Sequence, residues 1–294
     1  VTPLVAYAMG GFAEAKKRLP NEQEVAKTIQ LFHEAMAAGA VGWGAQRLFP
    51  DSFASVQRDY DGSPMISDIL PDDFYLAMAR ALGEYDAGCI QLTQASAAIH
   101  DPSRGPKYDF DFNARLSEES GRPVLYNAIA INDKHPQMFR SQLKWVEEAN
   151  AKGIRVFAQT ATRLATHLSF TFEDWNLFDN SPVWRDATLG TTVEKKAKLA
   201  NPDIRRAIKA EYDSGTVPIE IFGEVPNYTL IATQRADLKK YEGLRLKEIA
   251  QRENKLPLDA MLDISVADDL KTEWRTDLIH TNEDYERELL NSPY

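Results

Sequence analysis

Cysteine and histidine are scarce in this sequence. Its 294 residues include one cysteine, Cys89, and five histidines. A single thiol excludes an internal disulfide and is typical of a protein from a reducing compartment. No histidine is part of a His-x-His, a His-Glu-x-x-His or a Cys/His pair, so the sequence contains no compact metal-binding motif.

Long apolar runs and excess positive charge are also lacking. No apolar run approaches the ~20 residues that a membrane span needs, and the first residues have no basic flank of the kind that opens a signal peptide. Acidic residues outnumber basic ones by 44 to 34, and the net charge is −10. Without a basic stripe, a nucleic-acid partner is not expected. The sequence predicts a cytoplasmic protein that binds neither membrane nor nucleic acid, and it leaves an oligomer open.

Apolar runs of strand length alternate with helical patterns over the first half of the chain. The predicted strands are residues 4–9, 40–44, 89–93, 124–129 and 154–158, and the predicted helices are residues 22–38, 71–87, 109–120 and 136–153. This alternation is typical of βαβ units with a parallel sheet. Because the length favours one large domain, we expect an α/β fold, a TIM-like (β/α) barrel over residues 1–294.

The pattern changes after residue 158. Residues 160–186 are rich in aromatic side chains without a regular period, including Trp175 and Trp184. We therefore expect residues 160–240 to form a loop or insertion region over the barrel mouth. Further helices are predicted at residues 192–199, 201–213, 244–252 and 258–268, and a pair of strands at residues 217–222 and 228–232.

Several motifs lie in a fixed order along the chain. They are Gly-Ala-Val-Gly-Trp-Gly-Ala-Gln-Arg at 39–47, Asp-Gly-Ser-Pro at 61–64, Ala-Leu-Gly at 81–83, Gly-Arg-Pro-Val at 121–124, Ala-Asn-Ala-Lys-Gly-Ile-Arg-Val-Phe-Ala-Gln at 149–159 and Pro-Leu-Asp-Ala-Met-Leu-Asp at 257–263. Together they resemble the D-aminoacylase-like amidohydrolases (amidohydrolase family 3). The resemblance covers almost the whole chain.

The resemblance implies a metal-dependent hydrolase of a carbon–nitrogen amide bond, with an N-acyl amino acid or a similar small amide as substrate. Zinc is the implied cofactor, and it lowers the pKa of a bound water. The chain begins like an internal strand and stops before the family's last metal-binding loop. We therefore expect a central fragment that holds an incomplete barrel and is inactive alone, with most zinc ligands outside it. The alternative is a non-catalytic barrel that keeps a ligand-binding cleft.

Polar residues at the predicted strand ends are the candidate site, because the chemistry of a β/α barrel lies where its strands end. The candidate substrate-binding residues are Gln46, Arg47, Asn127, Gln159 and Arg163. Each arginine offers a planar fork that suits a substrate carboxylate, and a structural ion pair is the alternative. We expect Arg47, Asn127, Gln159 and Arg163 to share one cleft.

Four other residues are assigned from their local sequence context. His167 follows the predicted strand end at 158–159 and is the candidate metal ligand. Cys89 begins an apolar strand and is expected in the core. Asp268 and Asp269 are expected at a solvated helix end.

Overall fold

The computed structural model describes residues 1–48, 58–94, 107–160, 167–174, 181–214, 223–278 and 280–294. The chain divides into two compact units. The first, called the parallel unit below, comprises Val1–Ser55, Ser63–Ala161 and Glu283–Tyr294. The second, called the antiparallel unit, comprises Val56–Gly62 and Thr162–Asn282. The single partial barrel domain over residues 1–294, with residues 160–240 over the barrel mouth, stays a prediction.

Helices and strands follow one another in mixed order. In chain order they are α1 (Thr2–Ala8), α2 (Phe12–Ala15), α3 (Glu22–Ala37), β1 (Gly42–Arg47), α4 (Ile66–Ile69), α5 (Asp72–Gly83), β2 (Cys89–Gln94), α6 (Lys107–Ser120), β3 (Val124–Asn127), α7 (Pro136–Ala151), β4 (Val156–Gln159), β5 (Ser169–Phe170), α8 (Pro182–Thr188), α9 (Thr192–Ala200), α10 (Pro202–Ser214), β6 (Thr229–Ala232), α11 (Leu246–Glu253), α12 (Pro257–Ala267), β7 (Glu273–Arg275) and α13 (Glu283–Leu290). Two short 3-10 helices lie at Val225–Asn227 and Lys239–Tyr241.

The parallel unit is built on a four-stranded sheet in the order β1-β2-β3-β4, and every neighbouring pair is parallel. These strands confirm the predicted runs at 40–44, 89–93, 124–129 and 154–158. The intervening helices confirm the βαβ alternation, although α5 ends at Gly83 and not at residue 87. Within the described residues the sheet is open, and a closed barrel is not seen.

The first predicted strand, at residues 4–9, is wrong. Residues 4–8 belong to α1, which has a proline in its first turn, and Met9 caps the end of this helix. Val5 and Met9 are both buried and lie one helical turn apart. A short apolar run fits a helix or a strand equally well, and the proline, whose fixed φ suits the start of a helix, favours the helix here.

One face of the parallel sheet packs into the hydrophobic core under the helices. Trp43, Ile90, Leu92, Val124 and Val156 point to this face and are buried. The indole nitrogen of Trp43 donates to the Met78 carbonyl oxygen in α5, 3.2 Å away. Because side chains alternate along a strand, the residues between these positions point to the other face.

The antiparallel unit has its own core and a three-stranded sheet in the order β5-β7-β6. Trp184, Tyr228, Leu230 and Trp274 are buried there. The predicted strand at 228–232 is observed as β6, and the predicted helices are observed as α9 to α12. The aromatic residues of the predicted loop thus include core residues such as Trp184, while Trp175 and the predicted strand at 217–222 lie outside the described residues.

Among the residues that the structure describes, no helix is both long enough and apolar enough to cross a bilayer.

Candidate functional site

A row of polar side chains crosses the parallel sheet near the carboxyl ends of its strands. Gln46 of β1 pairs in register with Thr93 of β2, Thr93 with Asn127 of β3, and Asn127 with Gln159 of β4. Residues that are paired across neighbouring strands point to the same face of a sheet. We call these four side chains the strand-end row.

The strand-end row lies on the face opposite the helix-covered core. In β1 the buried Trp43 and Arg47 alternate with Gly44, which is exposed, and with Gln46, which is half-buried. In β3 the buried Val124 and Tyr126 alternate in the same way with Leu125 and Asn127. The row is therefore accessible within its unit, and Gln159 at its end is exposed.

Hydrogen bonds order the side chains of this face. The Asn127 side-chain nitrogen donates to Thr93 Oγ1 at 2.7 Å. Gln91, one pleat before Thr93, donates from Nε2 to Gln159 Oε1 at 3.4 Å. Gln46 Nε2 lies 3.5 Å from the sulfur of Met65. This face of the sheet therefore presents carboxamide and hydroxyl groups, several of which are hydrogen-bonded to one another.

Gly44 lies beside these groups, directly under the side chain of Gln91. A methyl group added at Gly44 would lie 3.0 Å from Gln91 Oε1, so the Gln91 carboxamide extends over the Gly44 backbone. The sequence analysis identified Gln46, Asn127 and Gln159 but missed Gln91 and Thr93. The signal was present in β2, where Cys89, Gln91 and Thr93 alternate with the buried Ile90 and Leu92.

Arg47 does not belong to the strand-end row. Its side chain is 3% exposed and forms an ion pair with Asp72 at the start of α5. The guanidinium carbon lies 5.1 Å from the centre of the Tyr75 ring and 4.6 Å from that of Phe112. The expectation that Arg47 shares a cleft with Asn127 and Gln159 is therefore wrong. Arg47 follows Gln46 directly in β1, and adjacent residues of a strand point to opposite faces of the sheet.

Tyr108 completes the arrangement around Arg47. Its hydroxyl donates to Asp72, 2.8 Å from Oδ1 and 2.9 Å from Oδ2. Burial and the bond to the Asp72 carboxylate raise the pKa of the Tyr108 hydroxyl to about 12. Asp68, in turn, accepts from the backbone nitrogen of Leu48 at 2.7 Å and so fixes the residue after β1. These contacts give Arg47 a structural environment.

Arg163 and His167 lie apart from the strand-end row in the chain. Arg163 lies outside the described residues, so its substrate role stays a prediction. His167 belongs to the antiparallel unit, where its Nδ1 lies 3.2 Å from the Thr276 carbonyl oxygen. Its role as a metal ligand also stays a prediction.

The implied zinc ion was tested against the groups of the strand-end row. Zinc in proteins is held by histidine nitrogen, cysteine sulfur and carboxylate oxygen, whereas the row offers amide and hydroxyl oxygens. In the part of the chain that the structure describes, no three His, Cys, Asp or Glu side chains are grouped so that they could hold a metal ion. The row therefore does not fit zinc.

Cys89 lies on the same face as the row, at the opposite end of β2. It is a half-buried free thiol, and its sulfur is 3.8 Å from the Val41 carbonyl oxygen. The expected core position is thus only partly realised.

Comparison with solved structures finds amidohydrolases. A crystal structure of D-aminoacylase, described as defining a novel subset of amidohydrolases, aligns over 94% of this chain with 12% identity and a TM-score of 0.45. N-acyl-D-glutamate deacylase from Bordetella bronchiseptica, solved with zinc and a phosphonate inhibitor, aligns over 98% with 10% identity and a TM-score of 0.48. These are enzymes of the class that the sequence motifs resemble.

This chain corresponds to only part of each of these larger proteins. The alignment covers 44% of each of those chains, so this chain spans less than half of their length. No protein-family model matches the sequence, and the comparison with curated proteins finds no match.

Proposed function

We propose that the strand-end row binds the amide group of a small molecule whose carbon–nitrogen bond is hydrolysed, in an enzyme of the amidohydrolase type. The observation that carries this proposal is the register of Gln46, Thr93, Asn127 and Gln159 on one accessible face. Carboxamides and hydroxyls complement an amide, because both partners donate and accept hydrogen bonds. The sequence motifs make N-acyl amino acids the first substrates to examine.

The residues of the row would bind and orient the substrate. Asn127 and Gln159 are the central pair, since they end adjacent strands and carry carboxamides. The row contains no carboxylate or imidazole that could take a proton from water at neutral pH. We therefore propose that water activation depends on groups outside the row, and that residues 1–294 bind substrate without turning it over.

A non-catalytic ligand-binding barrel is the second candidate function. It is favoured by the donor chemistry of the row, which suits an amide ligand and does not suit zinc. The two functions share the binding step and differ in hydrolysis. The proposed partner is a small amide in both cases, in a cytoplasmic protein that binds no nucleic acid or membrane, and self-association stays open.

The test compares two lengths of the chain. Residues 1–294 and the full product of the gene that encodes them are incubated with a panel of N-acyl amino acids, with and without added zinc. Binding is followed by calorimetry and released amino acid by an amine-reactive dye. We expect both to bind, and only the metal-loaded full gene product to release amine.

Two variants locate the binding. Gln159→Ala should weaken it about tenfold, which corresponds to roughly 1.4 kcal/mol, while Gln137→Ala on the exposed side of α7 should leave it unchanged. Binding without hydrolysis by the metal-loaded full gene product would support the binding protein instead. Equal affinities of the two variants would remove the row from the site.

A further inference from the structure

A groove lies between two helices of the parallel unit, α3 and α5. Its apolar lining includes Val25, Ala26 and Ile29 of α3 and Phe74 of α5. Ala26 is exposed, Val25 and Ile29 are half-buried, and Phe74 is 3% exposed and closes the floor. We call this feature the α3–α5 groove.

The charged residues of the α3–α5 groove are two carboxylates, Glu22 of α3 and Asp73 of α5. Each is exposed and lies in the first turn of its helix. In the part of the chain that the structure describes, neither side chain takes part in an ion pair or a hydrogen bond. Among the described residues that line the groove there is no lysine or arginine. The groove therefore combines an apolar floor with two negative charges that are not neutralised.

Two other pairs of helices in the same unit are bridged by an arginine. Arg80 of α5 donates to Glu119 of α6 at 3.1 Å. Arg140 of α7 donates to both carboxylate oxygens of Glu288 in α13, at 2.8 and 2.7 Å. The α3–α5 groove has carboxylates on both sides and lacks the cation of such a bridge, so a bound partner has to supply it.

The spacing of the lining residues along α3 suits a helix as the partner. Val25 and Ile29 are four residues apart and so lie one turn apart on the same face of α3, and Glu22 precedes Val25 by a further turn. A helix lying along the groove would contact this stripe with two apolar side chains that are also one turn apart. A lysine or arginine in the next turn would reach the carboxylates, while its methylene stem packs on the apolar surface.

We infer that the α3–α5 groove is a docking site for a basic amphipathic helix of a partner protein. The apolar side of that helix covers the floor of the groove, and its cations neutralise Glu22 and Asp73. The net charge of this chain, −10, also attracts a basic partner and repels an acidic one. The inference is independent of the proposed function, because no member of the strand-end row lines the groove.

The experiment uses three alanine-based helical peptides and residues 1–294. The first peptide carries two leucines one turn apart, with an arginine in the turn before them and another in the turn after. The second has glutamate in place of each arginine, and the third has glutamine in place of each leucine. Calorimetry measures the dissociation constants. We expect the first peptide to bind at least about tenfold more tightly than either of the others, and its affinity to fall with added salt.

A change of shape assigns the binding to the groove. Ala26→Trp fills the groove without changing the charge of the protein, and it should weaken binding of the first peptide about tenfold. Because Ala26 is exposed, this variant is expected to fold, and circular dichroism checks it. Ala151→Trp makes the same change at the exposed end of α7 and should leave the affinity unchanged.

A change of charge separates local from overall attraction. The double variant Glu22→Gln and Asp73→Asn should weaken binding of the first peptide about fivefold. The control is the double variant Glu118→Gln and Asp86→Asn, which removes the same net charge from exposed carboxylates outside the groove. We expect the control to keep most of the affinity, because the lost charges lie away from the bound helix.

Several results would overturn the inference. Equal affinities of the three peptides would do so, as would an Ala26→Trp variant that binds like Ala151→Trp, or equal losses in the two double variants. Sedimentation velocity of the protein alone tests a second copy of the chain as the occupant. A dimer that Ala26→Trp dissociates would place that copy in the groove and refute the basic helix, whereas a monomer would support it.

Discussion

Arg47 and Asp72 form an ion pair that joins the end of β1 to the start of α5. The arginine is 3% exposed and the aspartate 32%. The guanidinium also lies against the ring of Phe112 from α6, at 4.6 Å. One side chain thus connects a strand with the two helices that cover it, and a positive charge that the sequence assigned to substrate is used for structure.

Replacing this arginine should destabilise the protein. Arg47→Met should lower the free energy of unfolding by roughly 2 kcal/mol, because it removes the charge partner of the partly exposed Asp72 and the contacts of the buried guanidinium with the rings of Tyr75 and Phe112. The control is Arg80→Met, which breaks the exposed pair between Arg80 of α5 and Glu119 of α6. Those side chains are 54% and 36% exposed, so about 1 kcal/mol or less is expected. Urea unfolding measures both, and equal losses would contradict the structural role of Arg47.

The two glycines of β1 should respond differently to alanine. A methyl group at Gly42, where φ is +134°, would lie 1.9 Å from the Cys89 carbonyl oxygen, whereas at Gly44 it would meet the flexible side chain of Gln91. Gly42→Ala should therefore lower the free energy of unfolding by about 3 kcal/mol or more, since strained backbone and a steric clash combine. Gly44→Ala should cost about 1 kcal/mol or less. Thermal unfolding of both variants measures the two losses. A Gly42→Ala variant as stable as the unchanged protein would argue against the β1–β2 register.

Adjacent aspartates in the antiparallel unit should also differ. Asp268, expected to be solvated, is 2% exposed. Its carboxylate accepts from the backbone nitrogens of Gln234 and Arg235 and from Thr272 Oγ1. Asp268→Ala should cost roughly 3 kcal/mol, because it leaves buried donors unsatisfied.

The control for this change is Asp269→Ala. Asp269 pairs with Lys196 and is 68% exposed, so a loss of about 1 kcal/mol or less is expected. Guanidinium unfolding compares the two variants. A larger loss at Asp269 than at Asp268 would contradict the observed capping network.

Acid should weaken the start of α3. Bonds from the Arg18 guanidinium and from the Asn21 backbone nitrogen lower the pKa of the Glu24 carboxyl from 4.5 to about 2. Because the folded state prefers the ionised form, this contribution is full above pH 4.5 and is lost as pH falls from about 4.5 to about 2. Glu24→Gln should flatten the fall of the melting temperature in that range. Glu22→Gln, in the same helical turn, is the control and should keep the slope of the unchanged protein.

The sequence was sufficient to predict the parallel sheet and most helices, because capping residues and strand-length runs mark them locally. The cap at Asn21, for instance, is observed with its capping box. The prediction of a strand at residues 4–9 was wrong, because an apolar run this short fits the repeat of a helix as well as that of a strand. Burial in the folded unit decides between the two. The burial of Asp268 could not be predicted either, because two of its partners, Gln234 and Arg235, lie more than thirty residues away.

The candidate site was predicted in part for a related reason. Gln46, Asn127 and Gln159 were found because each is at or next to a strand end. Arg47 was placed wrongly because the face of a strand that a residue occupies depends on register, and a shift of one position reverses it. Thr93 was missed because β2 was treated as an apolar run, although its alternation was visible.

The alternation of side chains along β1 to β4 places the residues proposed to bind ligand on one face of the sheet and the residues of the core on the other. Changes in the strand-end row leave the helix-covered face intact, and its four members come from four different βα units. Neighbouring members of the row are paired across adjacent strands, and Thr93 and Asn127 share a bond, so their substitutions should be coupled and not simply additive. Such a surface can exchange one ligand for another in small evolutionary steps without passing through unfolded intermediates. A library randomised at these four positions should therefore be rich in folded proteins with altered recognition.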